Sequence, residues 1–327
     1  MPVEVKPRVS EGPYAEKSTT IKNIVAETAD FIRLHLAVRP FQIFSYALML
    51  YGTKYCITLW DHGGLLISSE FDLETTSGLE TFIRIIVRVS RFMTYVEMGQ
   101  DPTVTPVDTK YPFTEEYPEF TVSVPGGDGN TLCRTNGPPI FTSTSVIGRA
   151  TSVWKVVLHQ PGVSEPTRCI MKTAWRRNER RSESEIYGMV QSPDSTLKGV
   201  AVFLQGGDVG FGKKIDNVMK VSGLRIGMGS SSVPKQDHVM HRLLLKSYGK
   251  SISDFDSPGE FIGAMHDAIR GWCHSEYVEC KLIPIIYKVI KISGHRSKYF
   301  IGTLVRAMFS SRLIPHKILA DSFRIST

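Results

Sequence analysis

The chain has 327 residues, 42% hydrophobic and 22% charged, an ordinary globular composition with room for two or three domains. Five scattered cysteines (Cys56, Cys133, Cys169, Cys273 and Cys280), odd in number and without CxxC spacing, argue against a disulfide framework and a zinc site and suit a reducing compartment. The formal charge of +7 sits at one end: Lys281 to Thr327 carries nine Lys or Arg against Asp321, a net +8, so the other 280 residues sum to about −1. That neutral body has no basic motif interleaved with aromatics, which argues against a nucleic-acid partner.

The opening MPVEVKPRVSEG lacks the apolar core of a secretory leader, and no run of about 18 apolar residues follows anywhere. The expectation is a cytoplasmic or nuclear protein with no membrane partner. Residues 1–34 read as an N-terminal arm, its first 25 residues polar and proline-bearing, mobile or at most a fraying helix start. Residues 35–104 read as a hairpin-plus-helix unit. Phe41 to Tyr51 and Thr53 to Trp60 are strand-like runs, and Asp61-His62-Gly63-Gly64 is a turn into Leu65 to Ser69. Leu79 to Val96 then places Phe82, Ile85, Ile86, Val89 and Phe92-Met93 on one helical face, predicting a packed helix with Arg84, Arg88 and Arg91 on a solvated edge. His62 has no second His, Cys or acid at metal spacing. Residues 105–144 are dense in Pro, Gly, Thr and Asp and predict a loop-rich connection with one strand at Glu119 to Val124.

The next stretch carries the chemistry. Ser145 to Leu158 predicts a strand or tight strand pair, His159 to Gly162 a turn, and Arg168 to Lys172 a short strand. Arg176 to Val190 predicts a charged helix, with Glu183, Ile186 and Tyr187 at helical spacing. Arg176, Arg177, Arg180 and Arg181 would then form a solvated helix face paired with Glu179, Glu183 and Glu185. A lysine on a rigid strand can hold two phosphates of a nucleotide, and a carboxylate from the next helix can orient it. Gly199 to Leu204 predicts a buried strand, followed by Gly207, Gly212 and Lys213 at the spacing of a phosphate-binding loop. Lys214 stands where that loop needs a metal-binding hydroxyl, and the glycines after it are poor helix material, so the match is set aside. Gly223 to Ser232 reads as a mobile insertion, and His238 and His241 as a chance HxxH at a strand end. Ser257 with Glu260 is a capping box for a helix Pro258 to Trp272, which makes Asp254-Phe255-Asp256 a turn before that helix.

Several of these residues carry a resemblance. Gly148-Arg149-Ala150-Thr151, Val153-Trp154, Ile170-Met171-Lys172-Thr173-Ala174-Trp175, Arg180 and Glu183 to Tyr187 resemble the fungal-type protein kinase family, an expansion typical of mushroom-forming fungi (basidiomycetes). Gly99, Asp101 and Pro102, and the segment from Met240 to Trp272, are similar to it too, so the resemblance spans roughly residues 35–283. It implies an α+β fold: a kinase-like amino-terminal lobe of five strands plus a helix, with an N-terminal hairpin/helix extension and a partial helical carboxyl lobe. The kinase-like domain would be residues 145–283, with a hinge at Lys246 to Gly249, and 284–327 a basic tail outside the match. Lys172 would be the nucleotide-phosphate lysine, Glu183 its helix partner with Glu185 the alternative, and Gly148 the one glycine left of the phosphate-covering loop. The implied cofactor is ATP, weakly held, with Mg²⁺ in an active member; the implied partners are unidentified protein substrates or partners. The H-R-D and D-F-G elements are not found, and no Asp lies between Asp267 and Asp321. The expectation is an incomplete or degenerate kinase homologue, loosely packed over 284–327, with a non-catalytic pseudokinase-like interaction or scaffold protein as the alternative. A nucleic-acid binder acting through the tail is a third reading, separable by deleting residues 281–327.

Overall fold

The structure, a computed structural model, describes residues 1–14, 18–107, 117–127, 129–158, 166–191, 200–210, 217–225, 237–246, 249 and 254–275. The tail 284–327, most of the Gly223 to Ser232 insertion and the middle of the hinge lie outside them.

Among the described residues two sheets and five α-helices make an α+β fold. The first sheet runs β1-β2-β3-β4, from β1 (Val3–Lys6), β2 (Phe44–Tyr51), β3 (Lys54–Asp61) and β4 (Gly64–Ile67), with β5 (Phe71–Asp72) also on β3. The Asp61-to-Gly64 turn does close a hairpin, pairing Asp61 with Gly64. The expected N-terminal arm carries regular structure: β1 pairs in parallel with β2, and α1 (Ser18–Val38) packs on the sheet. Alternation explains that packing. Ala47, Met49 and Tyr51 with Cys56 and Trp60 point one way, onto Ile24 and Ile32 of α1. The other face sends Phe44 and Leu59 into a core shared with the second sheet.

The second sheet has eight strands rather than five, because the supposed connection 105–144 folds into it. Its order is β12-β13-β11-β10-β8-β7-β6, with β9 paired to β10. The strands are β6 (Val104–Pro106), β7 (Phe120–Val124), β8 (Thr131–Thr135), β9 (Phe141–Thr142), β10 (Ser152–Leu158), β11 (Thr167–Arg177), β12 (Phe203–Asp208) and β13 (His238–Leu245). The strand expected at Glu119 to Val124 is β7, whereas proline and glycine density hid β6, β8 and β9, of two to five residues. The strand expected at Gly199 to Leu204 falls later, on Phe203–Asp208, and overlaps it at Phe203 and Leu204. At Gly206 a Cβ would stand 2.5 Å from Leu243 Cβ, so this glycine lets two strands approach and forms no phosphate loop.

The helices depart from the sequence reading in instructive ways. α2 (Thr76–Val87) starts at the Thr75 cap, three residues early, and passes into a π-helical turn at Arg88–Phe92. It is less packed than its periodicity predicts: Tyr55 meets Phe82 edge-on at 5.3 Å, but Ile86 and Phe92 are exposed. α3 (Glu183–Val190) begins seven residues after Arg176, since β11 pairs with β13 as far as Arg177. α4 (Val221–Leu224) is a single turn; α5 (Pro258–Ser275) starts where expected, with the Glu260 amide donating to Ser257 Oγ at 3.2 Å. Among the described residues no helix is long and apolar enough to cross a membrane.

Two buried ion pairs brace the fold. Asp101, just before β6, and Arg242 of β13 are both fully buried, with Arg242 Nη2 2.6 Å from Asp101 Oδ2. The same guanidinium donates to Thr103 Oγ1 (2.9 Å), Ser123 O (2.7 Å) and Thr173 Oγ1 (3.2 Å). Asp61, at the end of β3, accepts two 2.6 Å bonds from Arg225 beyond α4.

Candidate nucleotide-binding site

β11 is built to present a lysine. Cys169 and Met171 are buried in the core with Trp154, Val156 and Leu244, so the alternate residues Lys172, Ala174 and Arg176 line the opposite side. The neighbours β10 and β13 hold the strand on both edges, at Val153↔Lys172 and Lys172↔Leu243. Ser182 then caps α3: its hydroxyl accepts from the Glu185 amide (3.2 Å), and the Glu185 carboxylate accepts from the Ser182 amide (2.8 Å). This reciprocal box fixes where the helix starts and so where Glu183 points. Both Glu183 carboxylate oxygens stand 2.8 Å from Lys172 Nζ.

Of the two glutamates left open by the sequence, the structure brings Glu183 to Lys172 and keeps Glu185 on the cap. Glu185 is therefore corrected from candidate ligand partner to capping residue. Arg149 Nη2 lies 3.9 Å from Glu183 Oε2, a looser approach from the other side.

Gly148 lies in an irregular segment that replaces the first half of the expected strand pair. Its φ of +109° suits glycine alone, and a Cβ there would meet nothing within 4 Å, so conformation rather than space selects it. The segment is tethered at both ends. The Gly148 amide donates to His62 O (3.0 Å), His62 Nδ1 donates to Val146 O (2.8 Å), and the Trp175 amide donates to Arg149 O (2.7 Å). Burial lowers the His62 ring to a pKa of about 4, and its ring lies 5.2 Å from that of Trp175. His62, set aside in the sequence, is thus a neutral clamp on the glycine segment.

Between these elements lies a cleft of about 590 Å³, lined by Gly148, Lys172, Glu183 and Ile186, by five arginines, and by His238 and His241. Deeper in, Arg176 pairs with Asp208 (Nε to Oδ1, 3.0 Å), and His241 Nδ1 donates to the same Oδ1 at 2.9 Å. Burial works to raise the Asp208 carboxyl, but the His241 and Arg176 hydrogen bonds outweigh it and hold it below its ordinary value. His241 is 4% exposed, and its Nε2 is buried with no hydrogen-bond partner among the described residues. Sequence reasoning missed Asp208, His62, Asp101 and Arg242. A signal existed for the last: a lone arginine inside the apolar run Val239 to Leu245 must be paired.

The donor set suits a polyphosphate, with an oriented ammonium, surrounding guanidinium groups and an open glycine segment. It does not suit a divalent ion. Glu183 is taken by Lys172 and Asp208 by Arg176 and His241, and among the described residues no three His, Cys, Asp or Glu gather as metal ligands.

The fold is α+β and compatible with the kinase-like class, with a strand lysine and a helix glutamate in bidentate contact. The chain belongs to the fungal protein kinase family, whose model matches residues 9–282. The match starts well before residue 35, so α1 and the hairpin lie within it. No curated protein and no solved structure matches the chain. Protein kinases in general use ATP with Mg²⁺.

Proposed function

We propose that this chain is a nucleotide-holding fungal kinase homologue, with residues 145–283 as its kinase-like domain and Lys172 as the residue that takes the phosphates. The observation that carries the reading is the bidentate Lys172–Glu183 contact, at 2.8 Å to each oxygen. Protein kinases require this strand-lysine to helix-glutamate pair in place before ATP is positioned. Gly148 supplies an open segment over the same cleft, and the Lys246 to Gly249 region would offer backbone groups to the base. Protein substrates or partners remain the expected macromolecular ligands.

The chain's own residues stop short of phosphoryl transfer. No H-R-D-type loop or D-F-G occurs in it, so neither a base for the acceptor hydroxyl nor metal-holding carboxylates stand among its recognisable elements. The pseudokinase-like reading gains from the same cleft, where both carboxylates are already engaged. Calorimetric titration with ATP tests the nucleotide site. Lys172→Met should weaken binding about tenfold or more, the loss of one charge-assisted contact set, with an unchanged far-UV spectrum. Equal affinity of the variant and the parent overturns the assignment.

A further inference from the structure

A second cavity, of about 70 Å³, lies where the end of α1 meets the glycine segment, on the side of β11 that carries Thr173 and Trp175 rather than Lys172. Phe41 and Trp154 stack in its wall at 4.7 Å between ring centres, and Trp175 and Leu36 line it too. Val146 and Ala150 close it from the glycine segment. Two observations separate it from an ordinary packing gap. Trp154 is 2% exposed, and its Nε1–H is buried with no hydrogen-bond partner among the described residues, whereas roughly 90% or more of buried polar groups have one. Among the described residues only Phe41 (φ +59°) and Ala150 (φ +37°) hold a left-handed backbone without being glycine, and both line this cavity. For a bulky residue such as Phe41 that conformation is strained, and strain of this kind gathers at ligand sites. Phe41 is kept in it by the Asp101 amide, which donates to its carbonyl at 3.0 Å.

We infer that this cavity, separate from the nucleotide cleft, binds a small planar ring compound bearing a carbonyl oxygen or ring nitrogen, which accepts a hydrogen bond from Trp154 Nε1–H. Size sets one limit. A buried water needs about 10–15 Å³, so the cavity holds the equivalent of roughly five waters, the space of one substituted ring. Chemistry sets the rest. Aromatic walls favour a flat ring, edge-on or offset, and a buried donor left alone costs stability that a ligand's acceptor recovers. Nε1 itself has no exposed surface, so binding slides the indole edge toward the ligand. The offset stack on Phe41 tolerates that movement. Water is the competing occupant, because the Thr144 and Ser152 side chains also line the cavity.

The experiment is titration of the full chain with benzamide and with toluene, the same ring without an acceptor, followed by calorimetry and by the indole N–H resonances of isotope-labelled tryptophan. Benzamide should bind with a Kd on the order of 1 mM. It should bind about five- to tenfold tighter than toluene, the worth of one net hydrogen bond. One indole resonance, missing from Trp154→Phe, should move as it binds. Trp154→Phe keeps an aromatic ring but removes the N–H, and should bring the two affinities together. Ala37→Leu fills the cavity from α1 and should abolish binding of both compounds; it decides the matter should Trp154→Phe fail to fold, which its thermal midpoint shows. A cavity that holds water only binds neither compound, and that result overturns the inference. Equal affinity for the two in the parent chain overturns the role of Trp154. A benzamide preference that survives Trp154→Phe, or binding that survives Ala37→Leu, places the compound elsewhere and overturns the inference as well.

Discussion

Replacing Asp101 by Asn tests the buried ion pair between the lead-in of β6 and β13 with almost no change of shape. The native carboxylate divides its oxygens: Oδ1 accepts from the Thr103 amide (2.8 Å) and hydroxyl (2.6 Å), and Oδ2 accepts from Arg242 Nη2 (2.6 Å). An asparagine keeps the Oδ1 contacts but turns an NH₂ toward the guanidinium, donor against donor. Arg242 has no accessible surface, so water cannot take over. Its other acceptors, Thr103, Ser123 and Thr173, satisfy hydrogen bonds but carry no charge. Breaking one side of a buried pair costs about 3–5 kcal/mol, because the remaining charge stays buried without compensation. Arg242→Met in the same background removes that charge but strands the Ser123 carbonyl, at about 1–3 kcal/mol. The double variant should therefore lose less than the two single losses added together.

Urea unfolding followed by tryptophan fluorescence measures this, since Trp154 and Trp175 lie in two separate core clusters. The half-exposed Arg134–Glu119 pair is the control; Glu119→Gln should cost below about 1 kcal/mol. A loss for Asp101→Asn no larger than that control refutes the reasoning. So does strict additivity in the double variant.

Three further outcomes are expected. Ser182→Ala should destabilise by about 1 kcal/mol through loss of the cap and weaken ATP binding as Glu183 loses its fixed origin; intact binding would show that the box does not position Glu183. His62, held near a pKa of about 4 when folded against 6.5 when free, leaves the unfolded chain with more bound protons between those values, so stability is full above pH 6.5 and falls as pH drops toward 4. The slope, on the order of 3 kcal/mol over that window for this one group, should shrink in His62→Asn, as read by thermal unfolding at each pH. With ATP and Mg²⁺ the chain should show no phosphoryl transfer approaching the roughly 1 s⁻¹ of protein kinases; turnover at that rate, abolished by Lys172→Met, would place a replacement catalytic loop in the basic tail.

The parts of the fold that were legible share one property: their signal is local. Apolar runs placed β2 and β3, a β-branched stretch placed β10, the Ser257 box placed α5, and the motif around Lys172 placed the site lysine. The helix partner was narrowed to two glutamates and no further, because both Glu183 and Glu185 are at reach from a strand. Only the start of α3 separates them, and that start depends on β11 running on to Arg177. The extension is driven by β13, more than 60 residues away, through Arg177↔His238. The arginine-rich run from Arg176 has helix-forming composition, and sheet pairing overrode it. The same holds for residues 105–144, whose short strands exist because β10 offers them an edge at Val156↔Thr135 and Ser152↔Thr142.

What local signals could not reveal is that the first unit and the site are one mechanical object. Asp61 is fixed by Arg225, and the next residue, His62, grips Val146 and Gly148 through its ring and its carbonyl. Gly148-Arg149 is in turn tied to Trp175, three residues beyond Lys172 on the same strand. Each link holds a backbone atom, so the side chains along the glycine segment are free to vary while its path is kept. The hairpin turn therefore sets how far the segment stands from the lysine, and a fragment beginning at Ser145 would lose that spacing along with the partners of Arg225 and Arg242. A glycine segment reduced to Gly148 has few conformational devices of its own for closing over phosphate. Clamping it from outside replaces flexibility with a fixed roof.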